Sequence, residues 1–164
     1  MSLGQLQQYV HGPDGGEALW LLGGLYTFKA TGEDNLNAYT LVEVKGPQGL
    51  AIPMHFHEGE SEGFYVAQGQ ATIFFGEEQV GVKAGSFAFA PQGSPHSFRL
   101  DDADTRLVLL ITPGGAGHEE MFREMGEAAG APVLPPPMTA PPDAERLSAV
   151  AARHGTRIVG PPPS

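Results

Sequence analysis

Two histidines and a glutamate occur close together in an apolar stretch bounded by Gly49 and Gly69. His55 and His57 are separated by one residue, and Glu62 follows shortly after them. Because alternate residues of a β-strand point to the same face, the two imidazoles would project together from a strand. Two imidazoles and a carboxylate at one point are suitable ligands for a first-row transition metal. The spacing therefore predicts a metal site in this stretch.

A fourth ligand is available in His96, which follows the turn sequence Pro91-Gln92-Gly93 and begins another apolar run. A single histidine is ordinarily a surface or core residue with a hydrogen-bonded ring, and we interpret His11, His118 and His154 in that way. The four residues together are different, since their types and their shared strand face agree with metal binding. We call them the ligand cluster: His55, His57, Glu62 and His96.

The composition argues against several classes of function. The chain has 164 residues, enough for one domain with a proper core, and a net charge of −10. An acidic surface of this kind argues against nucleic acids and anionic membranes as partners. The absence of cysteine excludes disulfides, cysteine-ligated zinc and cysteine nucleophiles. The sequence shows neither a secretion-signal pattern nor an apolar run of bilayer length, so we expect a cytoplasmic protein.

Short apolar runs separated by turn residues dominate residues 18–113, without an intervening helical pattern. This arrangement predicts an antiparallel sandwich or barrel. Residues 1–17 are polar and rich in glycine, which predicts a flexible N-terminal arm. Residues 114–164 are predicted to form an extension packed on the barrel, with helices over 117–129 and 142–153 joined by a proline-rich segment.

The spacing of glycines, prolines and ligands resembles the two motifs of the cupins, a family of small β-barrel proteins. The first motif is matched at every spacing by Gly49, His55, His57, Glu62 and Gly69. The second is matched by Gly85, Pro91, Gly93 and His96, with Leu100 where the family has asparagine. The resemblance implies an all-β fold, a double-stranded β-helix (jelly-roll) barrel with short C-terminal helices.

The same resemblance implies a metal ion in the mouth of the barrel, bound by the ligand cluster. One divalent transition metal is expected, and Fe, Mn, Ni, Cu, Co and Zn all accept this combination of ligands. An octahedral ion held by these four residues would keep positions for water, substrate or dioxygen. A homodimer is a further family expectation. The apolar strands over residues 19–28 would pair either within the chain or across the dimer interface.

The alternation of side chains along a β-strand also predicts which residues lie on the same side as the ligands. These predicted substrate-pocket residues are Phe64, Val66, Phe98 and Leu100. They would equally serve as packing inside the barrel, where apolar side chains are the base expectation. The sequence has no basic cluster to bind a phosphate group, so a planar aromatic or other weakly polar substrate fits better.

The C-terminal third resembles the tail of single-domain cupins related to quercetin 2,3-dioxygenase, through a Met/Phe helix, a proline-rich segment and a proline-rich end. This resemblance implies an enzyme that cleaves a flavonol-like or other enolic aromatic molecule with O2. Glu62 would serve as ligand and as proton acceptor, and burial in an apolar pocket is expected to raise its pKa. Two alternatives stay open: a non-catalytic sensor or accessory protein that binds a metal or small ligand, and a metal-dependent isomerase.

Overall fold

Two antiparallel β-sheets form the framework of the computed structural model, which describes residues 6–164. In chain order the strands are β1 (Glu17–Leu21), β2 (Gly24–Ala30), β3 (Thr40–Lys45), β4 (Met54–His57), β5 (Ser61–Gln68), β6 (Gln70–Phe75), β7 (Glu78–Lys83), β8 (Phe87–Ala90), β9 (His96–Leu100), β10 (Arg106–Thr112), β11 (Glu127–Ala128) and β12 (Thr156–Gly160). The helices are α1 (His118–Met125) and α2 (Ala144–Arg153), with a short 3-10 turn at Gly32–Asp34. The seven-stranded sheet has the order β11-β1-β2-β3-β10-β5-β8, and the five-stranded sheet has the order β12-β4-β9-β6-β7.

Alternation of buried and exposed side chains explains why these segments form two packed layers. Along β10, Leu107, Leu109 and Ile111 are buried, whereas the residues between them are partly exposed. The buried faces contribute to one apolar core that includes Phe64 and Phe98. The predicted all-β architecture with short C-terminal helices is therefore confirmed.

The first two strands pair with each other inside the chain. They are joined by Leu22 and Gly23, whose φ angles of 49° and 83° suit the two-residue turn of a tight hairpin. β2 continues onto β3, and β1 receives the short strand β11 at its other edge. Residues 19–28 thus pair within the chain, which is one of the two arrangements that the sequence allowed.

The predicted N-terminal arm is described from residue 6 onwards, and residues 1–5 lie outside the described part of the chain. Its described residues contact the first sheet through side chains. The Tyr9 hydroxyl donates to the Lys29 carbonyl oxygen at 3.1 Å. In return, Lys29 Nζ donates to the carbonyl oxygens of Gly12, Pro13 and Gly15.

The C-terminal segment supplies strands to both sheets in addition to its two helices. α1 ends at Met125, earlier than predicted, and β11 then pairs with β1. Asp143 caps the start of α2 by accepting a hydrogen bond from the backbone N–H of Arg146. After α2, β12 runs antiparallel to β4, a pairing that the sequence did not predict. Neither of the helices is long and apolar enough to cross a membrane, and this holds for all described residues.

Candidate metal centre

Three neighbouring strand positions carry the histidines of the ligand cluster. His55 and His57 alternate with partly exposed residues on β4, so both imidazoles face the interior. His96 is the first residue of β9 and lies directly opposite His55 in the antiparallel pair. Glu62 is contributed by β5 of the other sheet, where its neighbours across the ladder are Ala90 and Ile111. The cluster therefore lies between the two sheets.

The four side chains converge closely, as the sequence predicted. Glu62 Oε2 lies 3.0 Å from His57 Nε2 and 2.8 Å from His96 Nε2. The ring centroid of His55 is 4.8 Å from that of His57 and 4.5 Å from that of His96. One ligand atom from each of the four residues lies within 4.8 Å of the others. All four are buried.

The outer ring nitrogens of the imidazoles are occupied by oxygen atoms of the chain. His55 Nδ1 donates to the Pro53 carbonyl oxygen at 2.8 Å, and His96 Nδ1 donates to the Ser94 carbonyl oxygen at 2.8 Å. A carbonyl oxygen only accepts hydrogen bonds, so these Nδ1 atoms carry the hydrogen. In the neutral rings, the Nε2 lone pairs then point into the cluster.

The electrostatics of the cluster fit a bound cation. Burial, reinforced by the neighbouring imidazoles, lowers the pKa of His55 to about 3, and burial and His118 also lower the pKa of His57. Glu62 Oε2 is within hydrogen-bond distance of His57 Nε2 and His96 Nε2, so the space among these atoms suits a shared proton or a bound cation. Three nitrogen ligands and one carboxylate are a suitable set for a divalent transition metal.

The pKa of Glu62 moves in the direction opposite to the sequence expectation. Burial alone would raise it, but the imidazoles of His57 and His96 outweigh burial and hold the pKa of Glu62 well below its usual range. The predicted rise is therefore wrong, because it considered the apolar surroundings without the imidazoles. Glu62 is a carboxylate in this site.

His118, the first residue of α1, also reaches the site, which the sequence did not indicate. Its backbone N–H and Nδ1 each lie 3.3 Å from an oxygen of Glu60, and its Nε2 is 3.9 Å from Glu62 Oε1. The ring centroid lies 4.4 Å from that of His57. Burial alone would lower the pKa of His118, but Glu60 and Glu62 outweigh burial and raise it. The ligand atoms of His57, Glu60 and His118 also lie within 4.8 Å of one another.

A small cavity of about 50 Å³ opens beside the ligand cluster. Its polar lining includes His55, Glu62, His118 and Thr156. Its apolar wall includes residues from both sheets and from the helices: Leu21, Tyr26, Phe98, Leu109, Met121, Phe122, Met125 and Leu147.

Of the four predicted pocket residues, Phe98 alone lines this cavity. Phe64, Val66 and Leu100 are fully buried in the core instead. The ring of Phe64 packs edge-on against His96, with the centroids 5.6 Å apart. Strand parity gives the face on which a side chain lies but not its depth below the barrel mouth. The sequence therefore could not separate pocket from core among these residues.

The fold and the cluster agree with comparisons of the sequence. Residues 41–113 match the cupin domain family. This part of the chain is therefore similar to a cupin domain. It is 31% identical over 124 residues to a quercetin 2,3-dioxygenase of Bacillus subtilis (strain 168), which covers 74% of this chain and 36% of that protein. A quercetin 2,3-dioxygenase of Aspergillus japonicus is 30% identical over 112 residues, which covers 64% of this chain and 31% of that protein.

The chain spans about a third of the length of the two quercetin dioxygenases. Among solved structures, the polyketide cyclase RemF from Streptomyces resistomycificus superimposes with a TM-score of 0.54 and 23% identity, covering 65% of this chain and 79% of that chain. At this identity the likeness concerns the fold alone. The resemblance to cupins and to quercetin 2,3-dioxygenases, predicted from the motifs and the tail, is confirmed. The family implies a divalent metal, and the ligand cluster offers a place for it.

Proposed function

We propose that this protein is a metal-dependent dioxygenase that cleaves a flavonol-like or other enolic aromatic molecule with O2. The observation that carries the proposal is the convergence of three imidazoles and Glu62 beside a cavity that His55 and Glu62 line and whose other walls are mainly apolar. The names of the bacterial and the fungal relative, both quercetin 2,3-dioxygenases, support the reaction class. An apolar wall suits a flat, weakly polar substrate and excludes water from the reacting end.

The ligand cluster would hold one divalent ion, with Fe, Mn, Ni, Cu, Co and Zn all compatible with its nitrogen and oxygen ligands. Such an ion supplies Lewis acidity toward an enol oxygen and open positions for dioxygen chemistry. Oxygen atoms of Pro53, Ser94 and Thr156 orient the three rings through their Nδ1 atoms. Contacts of this kind raise ligand basicity and fix ring orientation.

Glu62 is the proposed proton acceptor. Its Oε2 faces His57 and His96, whereas its Oε1 points toward His118. Glu62 lines the cavity, and its Oε1 faces away from the imidazoles of His57 and His96, so this oxygen is placed to take the proton of an enol hydroxyl. His118 is the proposed positioning residue for this oxygen, since Glu60 holds the imidazole from its other side.

Oxygen consumption by the metal-loaded protein tests the proposed reaction. The protein would be loaded in turn with each of the candidate metals and supplied with quercetin and a panel of smaller aromatic enols. We expect oxygen uptake in step with loss of the flavonol absorption band for at least one metal. Failure of every metal and enol combination to consume oxygen would reject the dioxygenase.

A non-catalytic small-ligand binder is the second candidate, and the small volume of the cavity favours it. About 50 Å³ accommodates a few water molecules or a small anion without any rearrangement. Ligand binding without oxygen uptake under the same conditions would support this sensor or accessory function.

The expected homodimer has a candidate surface on the outer face of the seven-stranded sheet. Tyr65 on β5 and Phe87 and Phe89 on β8 are 46%, 60% and 53% exposed. Tyr65 lies directly opposite Phe87, and Phe89 lies opposite Gly63, so the three rings share one face. We propose that a second copy of the chain covers this face, since adjacent exposed aromatic side chains are typical of interfaces.

A further inference from the structure

A second cavity lies next to the small cavity beside the ligand cluster and shares part of its wall. We call the small one the inner cavity and the second one the outer cavity. The inner cavity, which contains Glu62 and His118, has a volume of about 50 Å³, and the outer cavity has about 580 Å³. Four apolar residues line both spaces: Leu22, Pro53, Leu147 and Ile158. The two cavities are therefore adjacent compartments divided by apolar side chains.

The volumes do not allow a flavonol to bind in the inner cavity alone. Sites for drug-sized ligands enclose about 300–1,000 Å³, whereas a single water molecule needs about 10–15 Å³. The inner cavity can hold dioxygen, water or the reacting end of a molecule. The outer cavity, at about 580 Å³, has room for an aromatic ring system.

The lining of the outer cavity selects for an uncharged, apolar occupant. Besides the shared residues, its walls come mainly from the proline-rich segment, α2 and the chain after β12, and they include Met138, Pro142 and Pro161. Ser148 provides the one polar side chain among the described lining residues, and none of those residues is charged. Proline rings and a methionine side chain offer adaptable contacts to an aromatic ring.

Two of the shared residues connect the outer cavity to the reacting centre. The Pro53 carbonyl oxygen accepts the hydrogen bond from His55 Nδ1, so the wall of the outer cavity also orients a residue of the ligand cluster. Leu147 is a buried α2 residue that faces both spaces. A rotamer change at Leu147 would alter the separation between the compartments without changing the backbone of either sheet.

We propose that the outer cavity is the second half of the substrate site and binds the apolar aromatic part distal to the reacting enol. This inference rests on the proposed function in one respect, because it places the enol end at the ligand cluster. Leu147 and Ile158 then contact the substrate between its two ends. The outer cavity thereby determines how large an aromatic substituent the enol can carry.

Ser148→Trp tests this assignment by filling the outer cavity. Ser148 is exposed on α2 and lines the outer cavity but not the inner one, so the indole leaves the ligand cluster untouched. Ala149→Trp is the matched control, since Ala149 is also exposed on α2 and lines neither cavity. Metal-loaded proteins would be titrated calorimetrically under nitrogen with quercetin and with a single-ring hydroxypyranone, which has an enol but no attached ring.

We expect Ser148→Trp to weaken quercetin binding by about tenfold or more while leaving hydroxypyranone affinity unchanged. Ala149→Trp should change neither affinity. The inference would be overturned if Ser148→Trp bound quercetin as the wild-type protein does, or if its affinities for the two ligands fell equally. It would also be overturned if the wild-type protein did not bind quercetin. Oxygen uptake is measured separately, so the two proposals can fail independently. If Ser148→Trp selectively lost quercetin binding but the wild-type protein consumed no oxygen, the dioxygenase function would be rejected and the assignment of the outer cavity as a binding site would stand.

Discussion

The imidazoles of the ligand cluster are each held at the outer ring nitrogen by an oxygen atom of the chain. The carbonyl oxygens at His55 and His96 favour the tautomer whose Nε2 lone pair faces a metal ion, and the Thr156 hydroxyl is able to accept the corresponding hydrogen from His57. Glu62 differs, because its two oxygens have different surroundings. Oε2 faces imidazoles of the cluster, and Oε1 faces His118. Metal binding and proton transfer can therefore be separated by substitutions at single residues.

Glu62→Gln should retain much of the metal but lose turnover. The amide keeps an oxygen beside the three imidazoles, but it cannot accept the enol proton, so we expect a loss of about a hundredfold or more in kcat. Metal content by mass spectrometry and oxygen uptake would be measured on the same sample. Glu58→Gln, an exposed position in the loop between β4 and β5, is the control. Retained turnover in Glu62→Gln would exclude Glu62 as the proton acceptor.

Two substitutions at His118 distinguish positioning from packing. An asparagine amide can replace Nδ1 beside Glu60 but removes the edge that faces Glu62, whereas a glutamine amide can reach the place of Nε2. We expect His118→Asn to lower kcat by about tenfold with little change in KM or metal content, and His118→Gln to restore part of the activity. Equal activity in both variants and in the exposed control His11→Asn would show that His118 has no part in turnover.

Strands from distant parts of the chain complete the metal centre. β4 lies between β9, which brings His96 beside His55, and β12, which brings Thr156 directly opposite His57. The Thr156 hydroxyl lies 2.7 Å from His57 Nδ1. α1 adds His118 from a third direction. The C-terminal segment thus supports the site as well as covering the barrel.

Thr156→Val should weaken metal binding without unfolding the protein. Valine keeps the shape and β-propensity of threonine but leaves His57 Nδ1 without a partner, which typically lowers metal affinity by about 10–100-fold. Affinity would be measured by competition with a chromophoric chelator. Thr27→Val, a buried threonine on β2, is the control and should bind metal like the wild-type protein. Unchanged affinity in Thr156→Val would remove β12 from the support of the metal centre.

At the scale of the whole molecule, two separate sets of residues form apolar surfaces. The outer cavity lies among the proline-rich segment, α2 and the C-terminal residues. The exposed aromatic face of β5 and β8 lies on the seven-stranded sheet. An antiparallel sheet that faces water usually carries polar side chains there, which is why we propose that a second copy of the chain packs on this face. Substrate binding and self-association are therefore assigned to separate surfaces.

Replacing both exposed phenylalanines of β8 should convert the proposed dimer to a monomer. Phe87→Ser combined with Phe89→Ser removes two large apolar side chains from the candidate interface while leaving the core unchanged. Light scattering coupled to size-exclusion chromatography would report the molar mass. Val159→Ser, at an exposed position on β12, should remain dimeric. A monomeric wild-type protein, or a double variant that stays dimeric, would contradict the assignment of this face.

The sequence was sufficient to predict the all-β fold, the resemblance to cupins and the convergence of the ligand cluster. These features depend on local patterns, because turn residues mark the strands and alternate positions share a face. The α2 helix was also predicted from a local pattern, which consists of Asp143 as its N-cap and the apolar residues after it. The family motif then related His96 to the first three ligands across a long separation in the chain.

The tertiary structure alone decided which further residues meet at the site. Thr156 contacts His57 from 99 positions away, and His118 contacts Glu60 from 58 positions away. Neither has a local pattern that distinguishes it from an ordinary threonine or histidine. The sequence also did not determine how far each side chain lies from the barrel mouth. Alternation along the strands placed Phe64 and Phe98 inside the barrel, but of the two only Phe98 borders the cavity. Alternation along a strand is a local property, whereas contact across the barrel depends on how the two sheets and the C-terminal segment pack.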